Sequence, residues 1–176
     1  DKYRKTLRHK SAYSNEGTTD AAYAAVACVV EATELVVRGH ARNAFCVVRP
    51  PGHHAGKEEV CGFCLFNNVA VAASQARQRW GVERVLILDW DVHHGNGVQA
   101  AFERDESVLY ISLHRWDHGD FYPGGPEGGP DRVGRGPGRG FNINIAWNGR
   151  GPFGDAEYLT AFDEIVMPAA RAFAPE

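Results

Sequence analysis

Two hydrophobic periods alternate along this chain. Apolar residues at helical spacing fill residues 19–38, 67–79 and 155–173. The first of these stops at Gly39 and is expected to start on a Thr/Asp cap. The second starts behind an Asn cap, and the third is expected to bend at Pro168. A short helix is expected over 97–104. Between the helices lie apolar runs of strand length: 44–48, 85–88 (ending in Asp89), 108–113, and the alternating 141–145. Pro50, Pro51 and Gly52 break structure after the first run, and 115–140 is a glycine-rich loop. The best strands read as apolar on both faces. That pattern predicts an α/β fold with a mainly parallel sheet covered on both sides.

Composition narrows the choice. At 176 residues the chain supports one domain, or a piece of a larger one, and 44% hydrophobic residues is ordinary for a chain that buries a core. A net charge of −3 supplies no general basic field for nucleic acid. Arg132, Arg135 and Arg139 in the loop lack the aromatic ladder of an RNA-binding patch. No apolar run reaches membrane-spanning length, and the charged start over 1–10 lacks a signal-peptide core. An intracellular address, nucleus or cytoplasm, is therefore expected. Cys28 and Cys46 sit in apolar patterns and are expected to be small buried residues. Cys61 and Cys64 form a CxxC pair, but no second close pair completes a metal cage, so reduced thiols are expected.

Candidate chemistry gathers after the strands, where open α/β sheets bind ligands. The run at 44–48 leads into Arg49-Pro-Pro-Gly-His53-His54, the run at 85–88 into Asp89-Trp-Asp91-Val-His93-His94-Gly-Asn96, and the run at 108–113 into His114. Five of the eight histidines lie in these clusters. In an extended segment Asp89, Asp91 and His93 would face one cavity. A carboxylate and an imidazole are suitable ligands for zinc. His53 and His54 follow a stiff Pro-Pro-Gly turn that aims two imidazoles together, and imidazole is acid and base near neutral pH. Such a pair beside a Lewis-acid metal is what amide hydrolysis needs.

These segments together, 49–55 (RPPGHHA), 61–68 (CGFCLFNN), 88–97 (LDWDVHHGNG) and 110–119 (YISLHRWDHG), resemble the histone deacetylase family. The family belongs to the arginase/deacetylase superfamily. The similarity is closest to class II, especially the class IIb, tubulin-deacetylase type, and runs from about His9 to Glu176. The resemblance implies a three-layer α/β/α fold, truncated at the C-terminus, with 1–176 as part of one catalytic domain. It implies zinc-dependent hydrolysis of acetyl-lysine amides by metal-activated water and a His-His acid/base pair. Asp91 and His93 match two zinc ligands, and His53 and His54 the catalytic pair. Asp89 matches the carboxylate supporting the first histidine and Asn96 the position supporting the second. An Asp partner favours imidazolium and an Asn partner the neutral ring, so His54 is the better candidate for general base. Gly62, Phe63, Tyr122 and, at the rim, Ser11 match substrate-binding positions, with Tyr122 standing where the family usually has Phe or Trp. Asp89, Asp91, His93, Ser112 and Leu113 match one potassium site, and Phe102, Asp105 and Val108 a second. Substrates implied are acetylated lysines of histones, tubulin or other proteins, with no direct contact to nucleic acid or membrane.

Two family motifs are absent from this sequence: the Gly-Phe-Asp-Ala segment with the third zinc ligand, and the Glu-Gly-Gly-Tyr segment with the transition-state tyrosine. A fragment, inactive by itself, is therefore expected. Should a third ligand come from this chain instead, Asp117 and Asp120 are the candidates. Two rivals stand beside protein deacetylation: an acetylpolyamine deacetylase on the same core, and a weakly active deacetylase-like scaffold module.

Overall fold

The structure is a computed structural model that describes residues 14–176. They gather into two compact units that divide after Val82. In the first, helix α1 (Thr18–Val37) packs against helix α2 (Asn68–Trp80). Small buried residues, Ala22 and Ala25 on α1 and Ala72, Ala73 and Ala76 on α2, line the helices' covered faces. The expected Thr/Asp cap on α1 is not formed: Gly17 is the cap residue, and Thr18 and Asn15 hydrogen-bond each other's groups just before the first turn. On α2 the expected Asn cap is present, Asn67 accepting the Ala70 N–H at 3.1 Å, and Gly81 closes the helix.

The run at 44–48 is not a strand. Phe45 and Val47 are 92% and 87% exposed, and the run pairs with no strand among the described residues. An apolar run becomes a strand only where a neighbour takes up its backbone groups, which periodicity alone does not reveal. Cys28 is exposed and Cys46 half-buried, against the expectation that both would be buried. The buried residues of α1 are Ala22 and Ala25, so its cover does not extend as far as Cys28.

The second unit holds β1 (Val85–Asp89), α3 (Asn96–Phe102), β2 (Val108–Arg115), β3 (Asn142–Trp147), α4 (Asp155–Ala161) and α5 (Met167–Phe173). The three strands form a parallel sheet in the order β1-β2-β3, as the α/β reading expected. Alternation along β2 splits its side chains between two faces. Leu109, Ile111 and Leu113 form one core with Ala161 and Val166, and Leu86, Leu88, Ile143, Ile145 and Phe162 pack around them. The other face presents Tyr110, Ser112 and His114, with Asn142 and Asn144 beside them, all buried. So β2 and β3 are not apolar on both faces. The second face is a buried polar layer, and backbone and side-chain partners take the place of apolar cover.

That layer organises the glycine-rich loop. The loop has only three single 3-10 turns, Asp117–Gly119, Pro126–Gly128 and Gly136–Gly138. Side chains from the sheet and α3 hold its carbonyls: Gln99 donates to Glu127 (2.8 Å), His114 to Gly128 (2.8 Å), Asn144 to Gly129 (3.1 Å) and Asn142 to Arg132 (2.6 Å). A Cβ at Gly128 would lie 3.2 Å from His114 Nε2 and 3.3 Å from His94 Nδ1, so this close approach suits glycine.

The helix expected over 155–173 is interrupted by a π-helical turn, Phe162–Val166, between α4 and α5. Pro168, near the start of α5, lacks an N–H and its ring crowds the carbonyl four residues earlier, so a locally widened helix accommodates it. No helix of the described residues is long and apolar enough to cross a membrane.

Ile111 sits fully buried in the core under α4. Ile111→Ala should lower unfolding stability by about 2–5 kcal/mol, measured by urea denaturation. A loss below about 1 kcal/mol would mean that this face of β2 is not the packed core.

Candidate functional site

The histidine pair belongs to the first unit. The His53 and His54 rings lie 4.0 Å apart between centroids, and His54 is buried. Their turn is fastened to the start of α2: Asn67 donates to the Ala55 carbonyl at 3.1 Å and Asn68 to the Pro50 carbonyl at 3.2 Å. Gly52 lies against the same helix start, where a Cβ would come within 2.6 Å of the Asn68 nitrogen. No side chain fits there. The PPGHH and CGFCLFNN segments are therefore one physical assembly, with the second holding the first.

Cys61 and Cys64 are paired by backbone hydrogen bonds around a tight turn, Cys61 N–H to Cys64 O at 3.2 Å and Cys64 N–H to Cys61 O at 2.8 Å. Gly62 and Phe63 form the tip at φ 50 and 66, and Phe63 is 64% exposed. A bulky residue held left-handed and exposed is a conformation that persists only where surroundings enforce it. Cys64 is fully buried behind the turn, its thiol donating to the Gly62 carbonyl at 3.3 Å.

The acidic cluster follows β1 in the second unit. Residues 91–93 bend rather than continue extended, so strand alternation does not bring these groups together. Local side-chain turns do: the Asp91 N–H donates to Asp89 Oδ1 (3.2 Å) and the His93 N–H to Asp91 Oδ1 (2.8 Å). As a result Asp91 Oδ1 and His93 Nδ1 stand 2.9 Å apart, a carboxylate oxygen and an imidazole nitrogen side by side. Their donor types fit two positions of a zinc site. Among the described residues no group of three or more His, Cys, Asp or Glu gathers closely enough to hold a metal. Asp117 and Asp120 therefore do not complete the set, and Asp117 pairs instead with Arg115.

Other expected residues sit around this cluster. The Tyr110 hydroxyl reaches Asp89 Oδ2 (3.0 Å) and the Gly95 carbonyl (3.2 Å). Burial, then the Asp89 charge, raise the Tyr110 pKa well above its usual value, so it stays a neutral donor. Tyr122 meets His93 edge-on at 5.9 Å, while Phe121 stacks on the same ring at 5.3 Å. Asn96 opens α3, its N–H on the His94 carbonyl at 3.0 Å. Of the residues matched to potassium sites, Asp89 and Ser112 are register partners across β1 and β2. Phe102 and Asp105 carbonyls accept from the Asp105 and Val108 N–H groups, at 2.9 and 3.4 Å. Leu113 is buried in the β2 core. Ser11 lies outside the described residues.

A histone deacetylase domain family model matches residues 1–176. The chain belongs to the histone deacetylase family. Histone deacetylase 5 of Arabidopsis thaliana is 53% identical over 169 residues, covering 94% of this chain and 26% of that protein. Histone deacetylase 9 of Homo sapiens is 52% identical over 161 residues, 90% of this chain and 16% of that protein. Polyamine deacetylase HDAC10 of Rattus norvegicus is 46% identical over 169 residues, 96% of this chain and 29% of that protein. The chain thus spans less than a third of each relative. The class II resemblance of the motifs is borne out.

Several residues of this chain carry no motif signal for the contacts they make. Asn67 reads as a helix cap, yet it also tethers the histidine turn. Gln99, which no motif marks, accepts from His94, Asn142 and Asn144. Tyr110 touches Asp89 from the polar face of β2, and only the period-2 pattern placing it beside Ser112 and His114 signals this.

His114 yields a pH prediction. Its Nε2 must carry the proton, because it faces the Gly128 carbonyl, so Nδ1 accepts from the Ser112 hydroxyl at 2.8 Å. Burial holds this imidazole below its usual pKa, against smaller opposing effects. The unfolded chain then binds the proton more readily, so stability present above the ordinary histidine value of about 6.5 is lost as pH falls below it. Urea midpoints should drop between about pH 8 and pH 5, and His114→Gln should flatten that drop. An equally steep decline in the variant would assign it to other groups.

Proposed function

We propose that this chain forms part of a zinc-dependent amidohydrolase that removes acetyl groups from lysine side chains of proteins, histones and tubulin among them. The observation that supports it most is the 2.9 Å approach of Asp91 and His93 just past β1, in a chain matched throughout by the deacetylase family. In this reading Asp91 and His93 hold zinc, with a third protein ligand from outside this sequence, so the 176 residues alone are inactive. Zinc bound there supplies Lewis acidity toward water and the amide carbonyl. His54 takes the proton from the attacking water, and His53, supported by Asp89, returns one to the departing lysine amine. Asn96 supports His54. Phe63 and Tyr122 wall the aliphatic stem of the lysine, with Gly62 and Ser11 contacting its amide. Asp89, Asp91, His93, Ser112 and Leu113 hold one potassium ion, and Phe102, Asp105 and Val108 a second, where carbonyl oxygens suit a hard monovalent cation. The site works inside the cell, in nucleus or cytoplasm. The rat relative is a polyamine deacetylase, which makes acetylated polyamines the rival substrate.

In the intact protein, Asp91→Asn and His93→Ala should each abolish tight zinc binding, read by metal analysis after dialysis. His54→Ala should keep its zinc and lose turnover of an acetyl-lysine peptide by about 100-fold or more. Full zinc content with wild-type turnover in either metal-site variant would remove the assignment. A higher kcat/KM on N-acetylated polyamines than on acetyl-lysine peptides would move the substrate from protein to polyamine.

A further inference from the structure

His93 is not held by burial. Its side chain is 39% exposed, and the last torsion of a histidine side chain is broad and roughly two-fold. Something other than the core must therefore keep Nδ1 in line with Asp91. Two aromatic rings from consecutive loop residues do so: Phe121 lies nearly parallel to the imidazole, 13° between planes at 5.3 Å, and Tyr122 stands at 80° to it. Phe121 is itself gripped. The Arg115 guanidinium carbon lies 4.6 Å from its ring centroid, and the Phe121 N–H donates to the Trp116 carbonyl at 3.1 Å. Arg115 is fixed by Asp117, through Nε at 2.6 Å and Nη2 at 2.5 Å.

Asp117 and the following His118 both adopt left-handed backbone, at φ 50 and 56, which side-chain-bearing residues rarely take. The strain is tied down from two sides: Asp117 Oδ1 accepts the Gly149 N–H at 2.9 Å, and Asn148 Oδ1 accepts the His118 N–H at 2.8 Å. The Arg115 contact also holds the Asp117 carboxyl below its usual range, as expected for a standing ion pair. Strained backbone of this kind persists where its surroundings over-determine it. Its result here is a fixed guanidinium over a ring that faces a metal-ligand imidazole.

Resting on the zinc reading above, we propose that Phe121 is a positioning residue for His93, and that Arg115, locked by Asp117, positions Phe121. A flat ring parallel to the imidazole opposes its swing away from Asp91; an aliphatic side chain of similar bulk does not. Lysine at 115 keeps the charge but not the planar fork that grips Asp117.

The test measures zinc affinity of the intact protein by chelator competition, together with the cobalt(II) absorption spectrum and the melting temperature of the metal-free form. Phe121→Leu should bind zinc about 10-fold more weakly or worse, and Phe121→Tyr should stay within about 3-fold of wild type. The cobalt bands should shift in the Leu variant and return in the Tyr variant, with metal-free melting unchanged. Arg115→Lys, which leaves both rings in place, should weaken zinc a few-fold, and it decides the matter if the Leu variant does not fold. Wild-type affinity and spectrum in both Phe121→Leu and Arg115→Lys overturn the proposal. So does an equal loss in the Leu and Tyr variants accompanied by lower metal-free melting, which marks a purely structural ring. A wild-type protein that binds neither zinc nor cobalt overturns the zinc reading and this inference with it.

Discussion

Polar groups buried on the second face of β2 and β3 have to find partners, and that requirement determines the path of the chain between the two strands. Tyr110, Ser112, His114, Asn142 and Asn144 are all buried. Each buried donor or acceptor left without a partner costs about 1–3 kcal/mol, against about 0.5–1.5 kcal/mol gained by a satisfied bond. The His114, Asn142 and Asn144 donors reach loop carbonyls from Gly128 to Arg132 and the Gln99 amide oxygen. Ser112 pairs with His114, and Tyr110 with Asp89 and the Gly95 carbonyl. Among the described residues the Asn142 and Asn144 amide oxygens are the groups of this layer left without a hydrogen-bond partner. Because the loop is fastened there, the segment before it, with Phe121 and Tyr122, is brought to the imidazole of His93. The same strand thus faces the apolar core under α4 and α5 on one side and organises the candidate metal centre on the other.

Much of the fold was legible because helical and strand periods differ sharply. The three strands of the second unit and every helix appear close to where their patterns lie. What failed did so for physical reasons. The run at 44–48 has the composition of a strand, but a strand needs a neighbour, and composition carries no information about neighbours. Reading β2 as apolar on both faces overlooked Tyr110, Ser112 and His114, which alternate with Leu109, Ile111 and Leu113. A buried polar face looks in sequence like an exposed one. Pro168 did signal a disturbance in the last helix, but the disturbance is a widened turn ahead of it.

The candidate site was legible at the level of residue identity and less so at the level of cause. Asp91 and His93 are adjacent as expected, yet bends and side-chain turns bring them together where an extended segment was expected. The histidine pair was visible as a motif. That Asn67 and Asn68 hold its turn was not, since a helix-capping Asn and a tethering Asn look alike in sequence. Phe121 carries no signal in the sequence beyond its place beside Tyr122. Its meaning comes only from the 13° angle between its plane and that of His93.

The ties between loop and sheet also bear on how this unit opens. A surface coil with its own internal turns exchanges its amide hydrogens by small, independent fluctuations. This loop differs, since its carbonyls are bound to side chains rooted in β2, β3 and α3. Freeing the stretch from Glu127 to Arg132 strips partners from the buried layer and exposes the central strand. Loop and strand are therefore expected to open together, and amide exchange in the glycine-rich stretch to follow the opening of β2 rather than local fluctuations of the loop.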